Sequence, residues 1–279
     1  MVVGLPGSGL LGNKVAITVT LAHSWMFPEA KNAPATIEET AETAARCREA
    51  GAAIAHVHAK PGEWKKLVSE IRKRTDMLIQ AGMSSYPIEQ RSDAFESRPD
   101  MISVMLGQHD EAFVNQDVYA IHTREELLAY ADKCRKFGVK PEFEVWHHGS
   151  IWTLDYLIQK GVLDKPYWLT LFFGWPGGNW TPVTLDELQY RTRSVPPDSV
   201  CSVSAMGEDT WDFMSKAISI GNNVRVGTED CPFDVEGSVA ADNTVLVRQA
   251  VKITSELGKT VATPQDVKEA IQVRDNRSS

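Results

Sequence analysis

The stretch TIEETAETAARCREAGAAIAHVH, residues 36–58, contains a helix start, a helix end and a buried strand in direct succession. Thr36 opens a capping box of the form S/T-x-x-E, which predicts a helix from here to about Ala50, and Gly51 is suited to end it. The run AAIAHVH predicts the next strand, and residues 15–19 predict a strand before the helix. This order favours parallel pairing of the two strands with a right-handed crossover.

The same alternation continues along the rest of the chain. Further strands are predicted at residues 77–80, 101–104, 143–146, 168–172, 200–204 and 224–227. Amphipathic or capped stretches predict helices at residues 63–74, 124–137, 151–160, 184–192 and 209–220. Eight strands alternating with helices, without a composition change that marks a linker, predict a single-domain α/β fold, the (β/α)8 TIM barrel. We expect residues 1–13 to form an N-terminal arm and residues 14–279 to form the barrel with a C-terminal helical segment.

The 279 residues have the composition of an ordinary globular protein, with 43% hydrophobic and 24% charged residues. The formal net charge of -8, without a cluster of lysine or arginine, argues against a nucleic acid or a membrane surface as a partner. The sequence shows no signal peptide and no apolar run long enough to cross a membrane, so we expect a cytoplasmic protein. Four cysteines, scattered without a CxxC pair, predict reduced thiols.

Candidate metal ligands lie where two predicted strands end, which is where TIM barrels place their functional side chains. His56 and His58 point to the same face of the second strand, because successive side chains of a strand alternate. The eighth strand leads to Glu229, and two imidazoles with one carboxylate are a ligand set typical of a catalytic zinc. Other interpretations stay open: the two histidines could be buried without a metal, Glu229 could simply pair with Arg225, and Cys231 could compete as a ligand.

Several segments, in the same order and at similar spacing, resemble the β-keto acid cleavage enzymes, a family that includes 3-keto-5-aminohexanoate cleavage enzyme. The segments are KVAITVTLAHS, APATIEETAETAARCREAGAAIAHVH, PDMISVMLG, KPEFEVWHHGSIW, NVRVGTEDCPFDVEG and LGKTVATPQDVKEAI. The resemblance implies a zinc-dependent TIM barrel that converts a β-keto acid and acetyl-CoA into acetoacetate and a new acyl-CoA. It also implies a homo-oligomer, with a tetramer favoured.

The resemblance also implies roles for particular residues. The zinc ligands implied by the family are His56, His58 and Glu229. Arg225 and Asp230 match the pair thought to supply the base that deprotonates the substrate, and Glu144 in PEFEV matches an acidic residue of the active site. Ser84 lies near the position of the family's substrate-binding serine.

The positions at which this sequence departs from the family bear on the identity of the substrate. The loop AHSWMFPEA has His23 and Ser24 where some members carry a glutamate that holds an amino group, which argues against 3-keto-5-aminohexanoate itself. Four tryptophans lie near predicted strand ends or in the following loops: Trp25, Trp146, Trp175 and Trp180. Because aromatic rings can bind a quaternary ammonium group, they suggest a trimethylammonium keto acid such as dehydrocarnitine.

Two other functions fit a barrel with an HxH pair. A metal-dependent amidohydrolase is one, although those enzymes carry HxH on the first strand and use further histidines on later strands. The other is a non-catalytic barrel that holds a structural metal or a ligand, for which Cys231 or His148 could supply a fourth ligand. His147 and His148 follow the fifth strand, and continued strand geometry would let at most one of them enter the barrel mouth.

Overall fold

The computed structural model describes residues 10–207 and 209–276. Their strands are β1 (Lys14–Val15), β2 (Ile17–Thr20), β3 (Ile54–Val57), β4 (Leu78–Ala81), β5 (Met101–Met105), β6 (Gln108–Ala112), β7 (Asp117–Ile121), β8 (Lys140–Val145), β9 (Tyr167–Phe173), β10 (Ser199–Ala205), β11 (Asn223–Gly227) and β12 (Thr260–Val261). Eight of them, β2 to β5 and β8 to β11, close into one barrel in chain order, and β11 pairs in parallel with β2. The predicted TIM barrel is therefore confirmed.

Helices cover the outside of the barrel. They are α1 (Ile37–Ala50), α2 (Trp64–Arg74), α3 (Ser92–Glu96), α4 (Arg124–Phe137), α5 (His148–Gln159), α6 (Leu185–Ser194), α7 (Thr210–Ser219), α8 (Asn243–Glu256) and α9 (Pro264–Ala270). In α1 the capping box forms as predicted, because the hydroxyl of Thr36 accepts from the amide of Glu39 at 3.1 Å and the Glu39 carboxylate accepts from the amide of Thr36 at 3.1 Å. Gly51 then ends the helix with a φ of 119°, a left-handed conformation that suits glycine.

The two ends of the barrel differ in character. At the amino end of the strands, Trp168 and Met101 are fully buried in an apolar cluster that also includes Val267 and Ile271 from the C-terminal part of the chain. The barrel interior above this cluster is polar, with buried Ser103, Glu142, Thr170 and Ser202. The apolar side chains between these positions alternate to the other face and pack against the helices. Polar groups are thus directed toward the carboxyl ends of the strands.

The elements that were not predicted from the sequence include a hairpin. Strands β6 and β7 form an antiparallel hairpin between β5 and α4, with Gln108 opposite Ile121. The prediction for the two adjacent histidines also requires correction, because β8 ends at Val145 and strand geometry does not continue. His147 instead caps the amino end of α5, and His148 is the first residue of that helix.

Several expectations concern the chain as a whole. All four cysteines are buried free thiols, as predicted. Among the described residues, none of the helices combines the length and the apolar character needed to cross a lipid bilayer. Residues 1–9 of the predicted N-terminal arm lie outside the described residues, and the next residues form a turn before β1.

Candidate metal centre and active site

Three side chains at the barrel mouth could together hold a metal ion. His56 and His58 come from the end of β3 and the residue after it, and Glu229 comes from the turn after β11. One ligand atom from each lies within 4.8 Å of the others. The Nε2 atoms of the histidines are 3.1 Å apart, and each is 3.5 Å from a carboxylate oxygen of Glu229. The structure therefore brings together the three residues that were predicted from the sequence as metal ligands.

The electrostatic environment keeps both imidazoles neutral, which is the form that binds a metal. Burial, with a further contribution from Arg225, lowers the pKa of His58 to about 3 and the pKa of His56 well below its usual value. The contacts of the histidines with Glu229 are therefore not ion pairs. His56 Nδ1 lies 2.9 Å from Gln80 Oε1, so a proton on Nδ1 can be donated to Gln80 while Nε2 stays free for a metal.

Glu229 accepts a hydrogen bond from Arg225, but the two neutral histidines beside it supply no positive charge. Burial raises the pKa of its carboxyl to about 8, against the lowering effect of Arg225, and the nearby Asp230 and Glu144 raise it further. Its Oε2 atom is buried and accepts no hydrogen bond from any other residue in the described part of the chain. A divalent cation would supply that charge, and two imidazole nitrogens with one carboxylate match the three protein ligands of a catalytic zinc. The donor set thus fits zinc.

The backbone of Gly82 fits closely against the two imidazoles. A Cβ atom at this position would lie 2.4 Å from Nε2 of His58 and 2.7 Å from Nε2 of His56. The amide of Gly82 donates to the carbonyl of Val57, and its carbonyl accepts from Arg91, so this backbone is fixed on both sides. The missing side chain at position 82 therefore leaves room for the rings.

A cavity of about 150 Å³ opens beside the three ligands. Glu144 from β8 and Ser84 from the loop after β4 form part of its wall, and the Ser84 hydroxyl donates to Glu144 Oε2 at 2.6 Å. The indole of Trp146 donates to the same oxygen at 3.1 Å. Three residues predicted for the site, from two segments of the chain, therefore form one hydrogen-bonded group.

Arg225 and Asp230 are paired, but they differ in access to the cavity. Arg225 donates to both carboxylate oxygens of Asp230 at 2.9 Å and to Glu229 at 3.2 Å. Although burial alone would lower the pKa of Arg225, the adjacent carboxylates raise it. Arg225 lines the cavity, whereas Asp230 lies behind it and also accepts from Ser204 at 3.1 Å.

The hairpin of β6 and β7 supplies site residues that the sequence did not reveal. The ring of His109 contacts that of Trp146 at an angle of 34°, with ring centroids 3.9 Å apart, and His109 forms a 3.0 Å contact with Glu111. Burial raises the pKa of Glu111, against the lowering effect of His109. Phe113, beyond the end of β6, stacks on Trp25 at 5.8 Å. All five residues line the cavity.

Other predicted site residues lie outside this cavity. Ser24 is buried and its hydroxyl accepts from the amide of Phe27, so it stabilises a turn. His23 lines neighbouring cavities, and Trp180 is 56% exposed away from the site. His148 stacks on Tyr190 with centroids 4.2 Å apart and does not belong to the metal group.

Two buried arginines fix the strand ends around the site. Arg91 donates to the carbonyl of Gly82, directly after β4, and to the carbonyl of Ser103, in the middle of β5. Arg191 donates to the carbonyls of Val145, Trp146 and Phe172 at the ends of β8 and β9. Hydrogen bonds from these two arginines to backbone carbonyls therefore stabilise the segments that carry the site.

Comparisons with known proteins show which proteins this chain resembles. The 3-keto-5-aminohexanoate cleavage enzyme of Acetoanaerobium sticklandii is 30% identical over 278 residues, which cover 93% of this chain and 98% of that protein. The 3-dehydrocarnitine:acetyl-CoA trimethylamine transferase of Rhizobium meliloti is 24% identical, over 88% of this chain and 90% of that protein. Among solved structures, ObcA in complex with oxaloacetate has the same fold, with a TM-score of 0.70 at 18% identity over 86% of this chain and 67% of ObcA.

The family profile decides between the functions left open by the sequence. The profile of the beta-keto acid cleavage enzymes matches residues 14–273, which is nearly the whole barrel. The amidohydrolase and the non-catalytic barrel are therefore set aside. The chain is an enzyme and belongs to the beta-keto acid cleavage enzyme family.

Proposed function

We propose that this enzyme uses zinc to convert a β-keto acid and acetyl-CoA into acetoacetate and a new acyl-CoA. The observation that carries the proposal is the group of His56, His58 and Glu229 at the mouth of a barrel of this family. When bound, Zn²⁺ supplies Lewis acidity, which makes the hydrogens between the keto and carboxylate groups of the substrate more acidic. The names of several relatives as acetyl-CoA transferases support acetyl-CoA as the co-substrate.

The proposed reaction begins with loss of a proton from the carbon between the two carbonyl groups. The resulting enolate attacks the thioester carbon of acetyl-CoA, forms a new carbon–carbon bond and expels the CoA thiolate. The thiolate then adds to the former keto carbon. Cleavage of the original bond between that carbon and C2 releases the new acyl-CoA and the enolate of acetoacetate, which takes up the proton removed in the first step. Each step conserves the acyl groups, and no covalent bond to the enzyme is needed.

Two carboxylates are candidates for the base. Asp230 is the candidate from the family pattern, but Arg225 stands between it and the cavity, so the guanidinium must turn aside for Asp230 to receive the proton. Glu144 is the second candidate because it lines the cavity itself. Ser84 and Trp146 both donate to its Oε2 atom, and these two hydrogen bonds orient the carboxylate. Neither of these two residues donates to Oε1.

An exchange experiment separates the two candidates. The zinc-loaded enzyme is incubated with the keto acid in D₂O without acetyl-CoA, and loss of the C2 hydrogens is followed by NMR. We expect Asp230→Asn to abolish enzyme-catalysed exchange and Glu144→Gln to slow it less. The reverse order would assign the base to Glu144, and exchange at the wild-type rate in both variants would refute a role for either as the base.

We propose a substrate with a cationic end, such as dehydrocarnitine. Six aromatic rings line the cavity: Trp25, Tyr86, Phe113, Trp146, Phe172 and Trp175. Two carboxylates beyond the metal group, Glu111 and Glu144, also line it, so a cation would find both π faces and negative charge. The relative from Rhizobium meliloti is named for 3-dehydrocarnitine.

A substrate panel tests the proposed reaction and its specificity. The purified zinc-loaded enzyme is supplied with acetyl-CoA and, in turn, dehydrocarnitine, 3-keto-5-aminohexanoate and an uncharged aliphatic β-keto acid, and acetoacetate is measured. We expect acetoacetate only when acetyl-CoA is present and the highest kcat/KM with dehydrocarnitine. Faster turnover of the aliphatic acid would refute the cationic substrate, and no acetoacetate from any acid would refute the proposed reaction.

We also propose that the enzyme is a homo-oligomer, with a tetramer favoured. Tyr119 and Ile121 on the hairpin and Trp152 on α5 are 76%, 73% and 61% exposed. The hairpin and α5 are close, because His122 donates to the carbonyl of Gly107, and a Cβ atom at Gly107 would lie 3.3 Å from Thr153 on α5. Exposed aromatic and aliphatic side chains in one region are typical of an interface. Light scattering after size-exclusion chromatography would give the mass, and a monomer would refute this proposal.

A further inference from the structure

A second cavity adjoins the one beside the metal ligands. It measures about 630 Å³, compared with about 150 Å³ for the cavity at the metal centre. The two cavities share the side chains of Trp25, His58, Met83 and Tyr86. His58 is one of the three candidate metal ligands, so the larger space extends to the metal centre.

The sizes of the two cavities fit two different reactants. The smaller one can hold a β-keto acid of a few carbon atoms, but sites for drug-sized ligands have volumes of about 300–1,000 Å³. Acetyl-CoA carries a long pantetheine arm and a phosphorylated nucleotide, so most of it must lie outside the smaller cavity. The larger cavity has the volume for the arm and leads to the metal centre.

The walls of the larger cavity, which we call the outer channel, match the chemistry of that arm. Leu21 and Leu67 are buried, and Ile37 and Met83 are half-buried, so they offer apolar surface to the pantetheine chain. Lys60, two residues after His58, is exposed at the same cavity. A cation at the wall of this cavity can bind phosphate groups through charge-assisted hydrogen bonds.

Lys60 is the cation best placed for this role. It forms no ion pair with any residue in the described part of the chain. Lys66 also lines the outer channel, but it pairs with Glu38 at 2.7 Å. That pair is more than half exposed on both sides, so it is weak and can open when phosphates bind.

The smaller opening on the other side of Trp25 is a poorer match. This space of about 330 Å³ lies between the loop after β2 and the tip of the hairpin, where Asn115 and Gln116 line it. Its lining contains neither lysine nor arginine, so phosphates there would lack a counter-charge.

We propose that the outer channel holds the pantetheine arm of acetyl-CoA, with Lys60 at the phosphates and the thioester beside His58. The inference rests on the proposed use of acetyl-CoA. It assigns the two reactants to separate spaces that meet at the metal centre: the keto acid in the inner cavity and the acyl carrier in the outer channel.

The charge at position 60 provides the first test. KM is measured for acetyl-CoA and for S-acetylpantetheine, which has the same thioester and arm but no phosphates. We expect Lys60→Glu to raise the KM for acetyl-CoA about tenfold, the effect of losing a charge-assisted hydrogen bond. The KM for the keto acid and the kinetics with S-acetylpantetheine should not change.

The matched control is Lys65→Glu, which makes the same charge change on α2 at an exposed position that does not line the outer channel. It should leave every constant unchanged. Equal effects of the two substitutions, or equal effects of Lys60→Glu on both thioesters, would overturn the assignment of the phosphate site.

A steric test distinguishes the two openings. Ala35→Trp narrows the outer channel and Asn115→Trp narrows the smaller opening. We expect Ala35→Trp to raise the KM for both thioesters and Asn115→Trp to leave both unchanged. The opposite result would place the thioester in the smaller opening and overturn the proposal. A wild-type enzyme that forms acetoacetate without acetyl-CoA would instead refute the proposed function, so the two failures are distinguishable.

Discussion

Replacing Gly82 with alanine disturbs the metal centre without removing a ligand. The φ angle of Gly82 lies outside the left-handed region, so alanine can adopt the same backbone conformation. The new Cβ atom would lie 2.4 Å from the ring of His58, whereas ordinary contact begins at 3.4 Å. The ring must therefore move by about 1 Å, which is enough to disturb catalytic geometry strongly.

The expected effect on zinc affinity follows from the cost of this overlap. Extra atoms in a well-packed site cost about 1–3 kcal/mol. If this steric overlap raises the free energy of the zinc-bound protein but not that of the metal-free protein, zinc affinity falls by about 5- to 150-fold. Competition with a chromophoric chelator measures that affinity, and thermal unfolding of the metal-free protein shows whether the fold itself has changed.

Gly149→Ala is the matched control for this experiment. A Cβ atom there would lie 2.7 Å from the ring of His147, so the overlap is similar but falls on a histidine outside the metal group. Gly149→Ala should therefore keep wild-type zinc affinity. If Gly82→Ala also binds zinc with wild-type affinity, zinc is not held between His56 and His58 as we propose.

Three further predictions concern metal removal, the buried arginine and the hairpin. Removal of zinc with a chelator should lower the Tm, and added zinc should restore it, because a ligand present at about 100 times its Kd stabilises the folded state by about 2.7 kcal/mol; an unchanged Tm would contradict a site in the folded protein. Arg91→Met should destabilise the fold by about 3 kcal/mol in urea unfolding, because buried carbonyls lose their donor; a loss below about 0.5 kcal/mol would contradict this role. Glu111→Gln should lower kcat/KM for dehydrocarnitine more than for an aliphatic β-keto acid, and an equal loss for both would show that Glu111 does not recognise the cation.

The barrel could be predicted from the sequence because its signals are local. Capping residues such as Thr36 and Gly51, and short apolar runs between helices, fixed the strand order without any knowledge of long-range contacts. The metal group was predictable for the same reason. His56 and His58 share a face by the geometry of one strand, and all parallel strands of a barrel end at the same mouth.

The hairpin could not be predicted because its sequence lacks the usual signal of a strand. Strand β6 reads QHDEA, which is polar on both faces, and this pattern does not predict a strand. Its pairing with β7 and its contact with the loop after β9 stabilise it, as when the amide of Ala112 donates to the carbonyl of Pro176. The contact with Pro176 is non-local, and the sequence signal for the hairpin is the alternation in DVYAI after Asn115 and Gln116.

This difference explains why the sequence indicates the reaction more clearly than the substrate. The groups proposed for the chemistry lie on or directly after barrel strands, where period-two alternation fixes the side to which His56, Glu144 and Arg225 point. The groups proposed to recognise the rest of the substrate, Glu111 and Phe113, depend instead on how one hairpin folds over the mouth. A change in that hairpin can therefore alter the cavity wall while the metal ligands keep their positions.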